Sequence, residues 1–374
     1  MRAVRSFLLT LRDRPALIAW AMFVASLPFY VGRSGLPQPG NALMFLALPL
    51  ALVGWDRRLD TGVVRVFRAM VWFSLWVLIV NWGWSAVTGK FSFADYAIVP
   101  VYYVWNGLVV LCAFVLHRRY GDLFLRATLY AVLFDVVFQV IASFVYRTDL
   151  YRSELFFNNP NQLGYWSLLA ACTIALLQKR LQLGLVKASA ALVGCAYLGV
   201  MSASRAAVAG IAILLILLVF TNPRVIIAGI VAAILLVGVG GPLNEAINKS
   251  SLRAMKRESD TTFAQERGYY RIWQFKEYIL VGAGEGDLLR FVDDPKRANE
   301  IHSSLGTVVF SYGIVGTILF VMLFVHLLRG AQPRMIVLLV PVLAYTVAHQ
   351  GLRFTLFWVL LALFACLKVR GPPK

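Results

Sequence analysis

Charge is scarce in this sequence. Only 14% of its 374 residues are Asp, Glu, Lys or Arg, against about 25% in an ordinary soluble domain. A soluble fold of this size has too little polar surface to stay in water. Acids are scarcer still, 18 against 36 Lys and Arg. The four cysteines (Cys112, Cys172, Cys195, Cys366) all sit in apolar runs with no CxxC spacing. A disulfide framework and a CxxC metal or redox site are therefore excluded. What is abundant is apolar: 60% of residues, with a mean hydropathy of +0.74. These residues come in runs of roughly 15–25, the length that spans a hydrocarbon core as helix. The chain reads as an all-α, polytopic membrane protein.

Apolar runs predict spans near 16–31, 41–54, 66–87, 97–116, 123–146, 162–178, 184–202, 205–220, 224–241, 302–328, 333–349 and 351–369. That makes about 12 transmembrane helices. The expected layout is nine spans over 1–241, an outer loop with an amphipathic helix over 242–301, and three spans over 302–374. Together they form one membrane domain. With the N-terminus inside, the inner segments hold 20 Lys and Arg and the short outer segments six, while the long loop balances ten bases with ten acids. Short loops set orientation, so both termini are expected on the cytoplasmic side. The basic excess is then a topology signal, not a nucleic-acid footprint. The basic, then apolar N-terminal stretch resembles a signal peptide. Asp13, Arg14 and Pro15 interrupt it, however, and no small-x-small cleavage site follows, so it reads as a retained helix.

Two connections are long, 147–161 and 242–301, and both face outward. In the second, FAQERGYYRIWQFKEYIL (263–280) mixes Phe263, Tyr270, Trp273 and Tyr278 with Arg267, Arg271, Lys276 and Glu277. Aromatics among bases at helical spacing predict a helix in the headgroup region, or equally a surface helix that only caps the bundle. GAGEG (282–286) ends it in a turn. This is no phosphate-binding loop, because neither Lys-Ser nor Lys-Thr follows. Glu285 and Asp287 are the nearest thing to a metal pair, and their glycine-rich turn explains them. In NWGWSAVTGKFSFADY (81–96), Trp82, Trp84 and Tyr96 suit either stacking on sugars or an interfacial belt, the belt being favoured.

Four histidines occur. His117 and His326 fall near the inner face beside arginines, whereas His302 and His349 fall on the outer side. Arg205, in the SASR turn, and Arg353 sit at outer span boundaries. A charge beside hydrocarbon marks a functional site unless it snorkels to the interface. Several outward arginines with few acids to neutralise them point to an anion, and the guanidinium fork suits phosphate. For a membrane-embedded site, the phosphates at hand are on lipids. Asp135, mid-helix, is a carboxylate without an assigned role.

Four separated motifs then carry a resemblance: FNNPNQLGY (157–165), SASR (202–205), RIWQF (271–275) followed by GAGEG, and EIHSSLGTVVFSYGIVG (300–316). In that order they resemble the O-antigen ligase and O-antigen polymerase (Wzy-C) superfamily of integral membrane glycosyltransferases, over roughly residues 150–320. The resemblance implies a GT-C-like, metal-independent, cofactor-free enzyme of the bacterial cell inner membrane with its active site facing the periplasm. It would move a glycan from undecaprenyl diphosphate to an acceptor hydroxyl, on lipid A–core in a ligase or on a second lipid-linked glycan in a polymerase. By motif match, Arg205 and Arg271 would hold the diphosphate and His302 would be the catalytic histidine. Arg353 and Arg152 lack a match and are added from position alone as substrate-binding candidates. Glu300, two residues before His302, joins them as a substrate-binding candidate and as a group to orient the histidine. The expected chemistry is a single displacement with inversion at the anomeric carbon. The ligase is favoured slightly over the polymerase, because there is one long outer loop and not two. A lipid-linked substrate transporter or flippase and a membrane acyltransferase are the competing classes.

Overall fold

A computed structural model of the chain describes residues 14–32, 38–55, 58–90, 96, 98–146, 152–221, 262–291 and 300–368. The span expected at 224–241 and the polar stretch 248–260 lie outside these residues. Among the described residues every regular element is helical. The longer elements are α1 (Pro15–Ser26), α2 (Ala42–Leu52), α3 (Thr61–Thr88), α4 (Ile98–Tyr120), α5 (Asp122–Val145), α6 (Pro160–Arg180), α7 (Leu185–Met201) and α8 (Arg205–Thr221). There follow α9 (Phe263–Arg267), α10 (Tyr270–Gln274), α11 (Ser304–Leu328), α12 (Pro333–Val337), α13 (Val340–Ala348) and α14 (Thr355–Lys368). Four of them, α3, α4, α5 and α11, are long and apolar enough to cross a membrane.

These four are also apolar on the side turned away from their neighbours. On α3 the exposed large residues include Trp72, Leu75, Ile79 and Trp82; on α11 they include Ile314, Ile318, Val321 and Val325. A soluble helix puts charge on that face, so the pattern fits helices bathed in lipid. The ends carry ordinary signals. Gly89 closes α3 in the left-handed region. Asn159 caps α6, its side chain accepting from Gln162 N at 3.0 Å with Pro160 in the first turn. Ser303 caps α11, accepting from Gly306 N at 3.0 Å.

Three expectations need correction. The amphipathic helix over 263–280 is not continuous. It is α9, α10 and a 3-10 turn at Lys276–Tyr278. Gly268 takes φ +78°, and Phe275 leaves helical geometry at φ −117°, ψ 64°. The run 333–349 is two short helices, α12 and α13. The helix after the outer loop starts at Ser304 and is broken inside the apolar run, where Gly313 has φ 63°, ψ −165°.

Packing gathers the chain into two compact units, each built from separated stretches. The first takes 1–58, 112–258 and 332–343, and the second 59–111, 259–331 and 344–374. In the first, α1 packs on α2 and α5, and α6 packs on α7 and α8. Trp20 is buried there; its indole donates to Thr128 Oγ1 at 2.9 Å and its ring lies 5.4 Å from Phe124. In the second, α11 packs along α3, with α14 against both. Phe73, Tyr103 and Tyr312 form an edge-to-face aromatic cluster in its core, the arrangement favoured by the ring quadrupole.

Candidate functional site

The break in α11 is where the second unit builds its polar centre. A helix interrupted among apolar side chains leaves backbone groups that need partners. Residues 279–284 supply them. Ala283 N donates to Phe310 O at 3.0 Å, Gly284 N to Ser311 O at 2.9 Å, and Ile314 N to Ile279 O at 2.8 Å. Backbones this close leave no room for side chains. A Cβ on Gly282 would meet Ser311 O at 2.4 Å, and one on Gly313 would meet Leu280 O at 2.5 Å. Two indoles on α3 hold both strands of the junction, Trp76 donating to Tyr312 O at 2.9 Å and Trp84 to Gly282 O at 2.8 Å.

GAGEG is therefore more than a surface turn, since residues 282–287 are all buried. Arg290 clasps this segment, donating to Ala283 O at 2.6 Å and Gly286 O at 3.0 Å. Its guanidinium lies 4.9 Å from the Trp84 ring and 5.8 Å from Tyr96. Trp84 and Tyr96 pack on the loop because their rings face its cation, and only Trp82 of the three is well exposed.

The segment carries Glu285 inward. Its Oε1 accepts from the Tyr312 and Tyr103 hydroxyls, and its Oε2 accepts from Arg353 Nη2. Its backbone N–H donates to Asn81 Oδ1 at 3.0 Å, and Asn81 in turn donates to Val77 O at 2.8 Å. Asp287 pairs with Lys90 at 2.8 Å. Arg353 reaches a second carboxylate, its Nη1 donating to Glu300 Oε1 at 3.1 Å. Burial works against the Arg353 charge, yet Glu285 and Glu300 more than offset it and hold the guanidinium firmly protonated.

Arg271, Glu285, Glu300 and Arg353 line one pocket with Ile301, Thr307 and Phe310. Arg271 is only 3% exposed. Among the described residues it forms no ion pair, and its Nε has no hydrogen-bond partner. A buried guanidinium in that state has hydrogen-bonding capacity to spare, which an anion would take up. His302 is outside the lining, one residue past Ile301. Its backbone N donates to Arg267 O at 3.0 Å. The His302 side chain is exposed; its partial desolvation lowers the imidazole below the ordinary histidine value, Glu300 opposes that, and Arg267 and Arg271 reinforce it. The ring is thus neutral at pH 7, the form that accepts a proton. His349 contributes backbone here, its carbonyl accepting from Ser304 N and Oγ, both at 3.1 Å.

The other candidates belong to the first unit. Arg152 donates from Nε to Ser202 O at 3.0 Å and from Nη2 to Asn161 Oδ1 at 2.6 Å. It ties the FNNPNQLGY segment to the SASR turn, and Gly164 lets the two seat together, since a Cβ there would meet Ser202 Oγ at 2.6 Å. Ala203 sits in the left-handed region at φ 47°. Arg205 opens α8 with its side chain exposed. Asp135 is buried on α5, and neither of its carboxylate oxygens has a hydrogen-bond partner among the described residues. A cavity of about 370 Å³ opens elsewhere in this unit among Leu176, Lys179, Leu183, Arg334 and Leu338; no candidate residue lines it.

Two of the four motifs thus meet in the first unit and two in the second. Sequence reading singled out Arg271, Glu300, His302 and Arg353, which the structure brings into one neighbourhood. It set Glu285 aside as explained by its glycine-rich turn, and an acid inside that stretch was the one visible signal. No known protein family and no curated protein matches this chain.

Proposed function

We propose that this chain is a glycosyltransferase of the inner bacterial membrane. In this reading it transfers a glycan from undecaprenyl diphosphate to an acceptor hydroxyl at the periplasmic face. The observation that carries the reading is Arg271, buried without an ion-pair partner among the described residues and lining a pocket beside a histidine kept neutral. That combination offers a donor fork to a diphosphate and a base to a hydroxyl. In the proposed step, His302 takes the acceptor's proton as its oxygen bonds to the anomeric carbon. The bond from that carbon to the diphosphate oxygen breaks, and its electron pair leaves on the diphosphate. Arg271 and Arg353 stabilise the charge that gathers there. One displacement inverts the anomeric centre. Arg205→Ala tests separately the role that the resemblance implies for Arg205 in the first unit.

The proposed topology has about 12 spans and both termini in the cytoplasm. The distribution of Lys and Arg over short loops supports it. The acceptor is proposed as lipid A–core, making this an O-antigen ligase, with the polymerase as the alternative. One transfer assay separates them, using purified protein, lipid-linked glycan and lipid A–core beside His302→Ala. Glycan appearing on lipid A–core and vanishing in the variant supports the ligase, while longer chains on undecaprenyl diphosphate support the polymerase. Retention at the anomeric carbon by NMR would sink the single displacement. A transporter or flippase is the second reading, favoured by the interrupted α11, since broken helices line many transport sites. Donor lipid crossing the bilayer intact, with no undecaprenyl diphosphate released, would decide for it.

A further inference from the structure

Arg353 is held by two carboxylates of unequal standing. Glu285 is fixed from several sides, by Tyr103, Tyr312 and its own backbone on Asn81, and its side chain is 4% exposed. The Glu300 side chain is 43% exposed, and among the described residues it bonds to Arg353 alone. The pocket they share with Arg271 is nearly full. The space open to the centre of a water molecule is about 20 Å³, room for roughly one water. An anion reaches both guanidinium groups only by taking the place of a side chain, and the exposed one is Glu300.

We propose that Glu300 is a placeholder. Its carboxylate occupies the Nη1 side of Arg353 that a diphosphate oxygen takes on binding, and the ligand displaces it into water. The identity of the ligand as a diphosphate rests on the glycosyl-transfer reading above. The exchange itself rests on geometry and charge. Carboxylate and phosphate oxygens present the same acceptor to a guanidinium. Glu285 stays in place and keeps Arg353 aimed while its other partner changes. The anion gains Arg271 as well, which Glu300 does not satisfy. A half-exposed ion pair is weak, so the exchange is easily driven.

The test is binding to the purified full chain in nanodiscs, with undecaprenyl diphosphate and inorganic pyrophosphate titrated in separate arms. Variants are Glu300→Gln, Glu300→Asp and Arg271→Ala. Glu300 is exposed, so its variants leave the fold intact. Glu300→Gln removes the competing charge. Glu300→Asp keeps the charge but is one methylene shorter and loses reach to Arg353. Both are expected to bind about two- to five-fold tighter than the parent, the range of an exposed ion pair, and Arg271→Ala is expected to lose binding. Tightening with both probes assigns the exchange to the diphosphate itself; tightening with the lipid alone assigns it to the lipid-linked form. Tightening in Glu300→Gln only would mean a general charge effect and overturn the placeholder. So would weaker or unchanged binding in both Glu300 variants, while Arg271-dependent binding would leave the transferase reading standing. No binding of either probe by the parent chain overturns both.

Discussion

Each unit holds an arginine that ties separate segments together, and the bonds they make differ in kind. In the first, Arg152 is bound by neutral acceptors, the Ser202 carbonyl and the Asn161 amide oxygen. In the second, Arg353 is bound by Glu285 and Glu300. A neutral acceptor positions a guanidinium but offers an incoming anion no charge to exchange with. A carboxylate cancels the charge, and another anion can replace it. The buried acids differ in the same way. Glu285 has Tyr103, Tyr312 and Arg353, whereas Asp135 has no hydrogen-bond partner among the described residues. Connected polarity in the second unit fits a site that works on charge. In the first, the described bonds serve to join segments.

The sharpest way to break this contrast is activity. His302→Ala is expected to lower transfer by about 10²–10⁴-fold, the usual worth of a general base. Arg271→Ala should cost about 10²-fold or more. Arg152→Ala should leave the turnover number within a few-fold; an equal collapse would erase the distinction between the two arginines. Stability comes next. Glu285→Ala takes away the buried one of the two carboxylates on Arg353 and leaves the Tyr103 and Tyr312 hydroxyls without their acceptor, and is expected to cost about 3 kcal/mol. Arg152→Ala removes the donor to two neutral acceptors and is expected to cost less; thermal melts in detergent compare the pair.

A pH profile sharpens the picture further. The base works when neutral, so activity is lost as pH falls through the His302 value. Partial desolvation sets that value below the ordinary one, about 6.5. The acid limb of kcat/KM should lie under that pH. In Glu300→Gln it should move further to acid, because Glu300 is the neighbour that raises it. An upward move would remove His302 from the role of base. The smallest effect is expected from Asp135→Asn, which disturbs no hydrogen bond of the carboxylate and should leave transfer unchanged. A loss comparable to that of Arg271→Ala would give the first unit a working carboxylate.

Much of the helical frame was legible. The runs 66–87, 123–146 and 205–220 appear as 61–88, 122–145 and 205–221, because an apolar stretch in this composition has few structures open to it. Arg271, Glu300, His302 and Arg353 were legible for the reverse reason: charge and histidine stand out where apolar residues dominate. The break at Gly313 was not. A lone glycine within an apolar helix is tolerated, and what forces the break is the approach of residues 279–284, far away in sequence. Glu285 was hidden by the same distance, since its partners are at 103, 312 and 353. Three glycines around it announced backbone freedom but not which surface that freedom serves. The 263–280 helix misled because aromatic and basic spacing outweighed a single glycine, Gly268, which terminates α9.

The junction at Gly313 also bears on the order of assembly. Phe310 and Ser311 carbonyls and the Ile314 amide find partners only when residues 279–284 have arrived. Each such group left unpaired in hydrocarbon costs several kcal/mol. The middle of α11 is therefore complete only with the 279–284 segment in place. Loop and helix thus behave as one piece: a chimera that takes α11 from one protein and the loop from another has to bring Gly282 and Gly313 together, or it leaves backbone groups that neither half can pair.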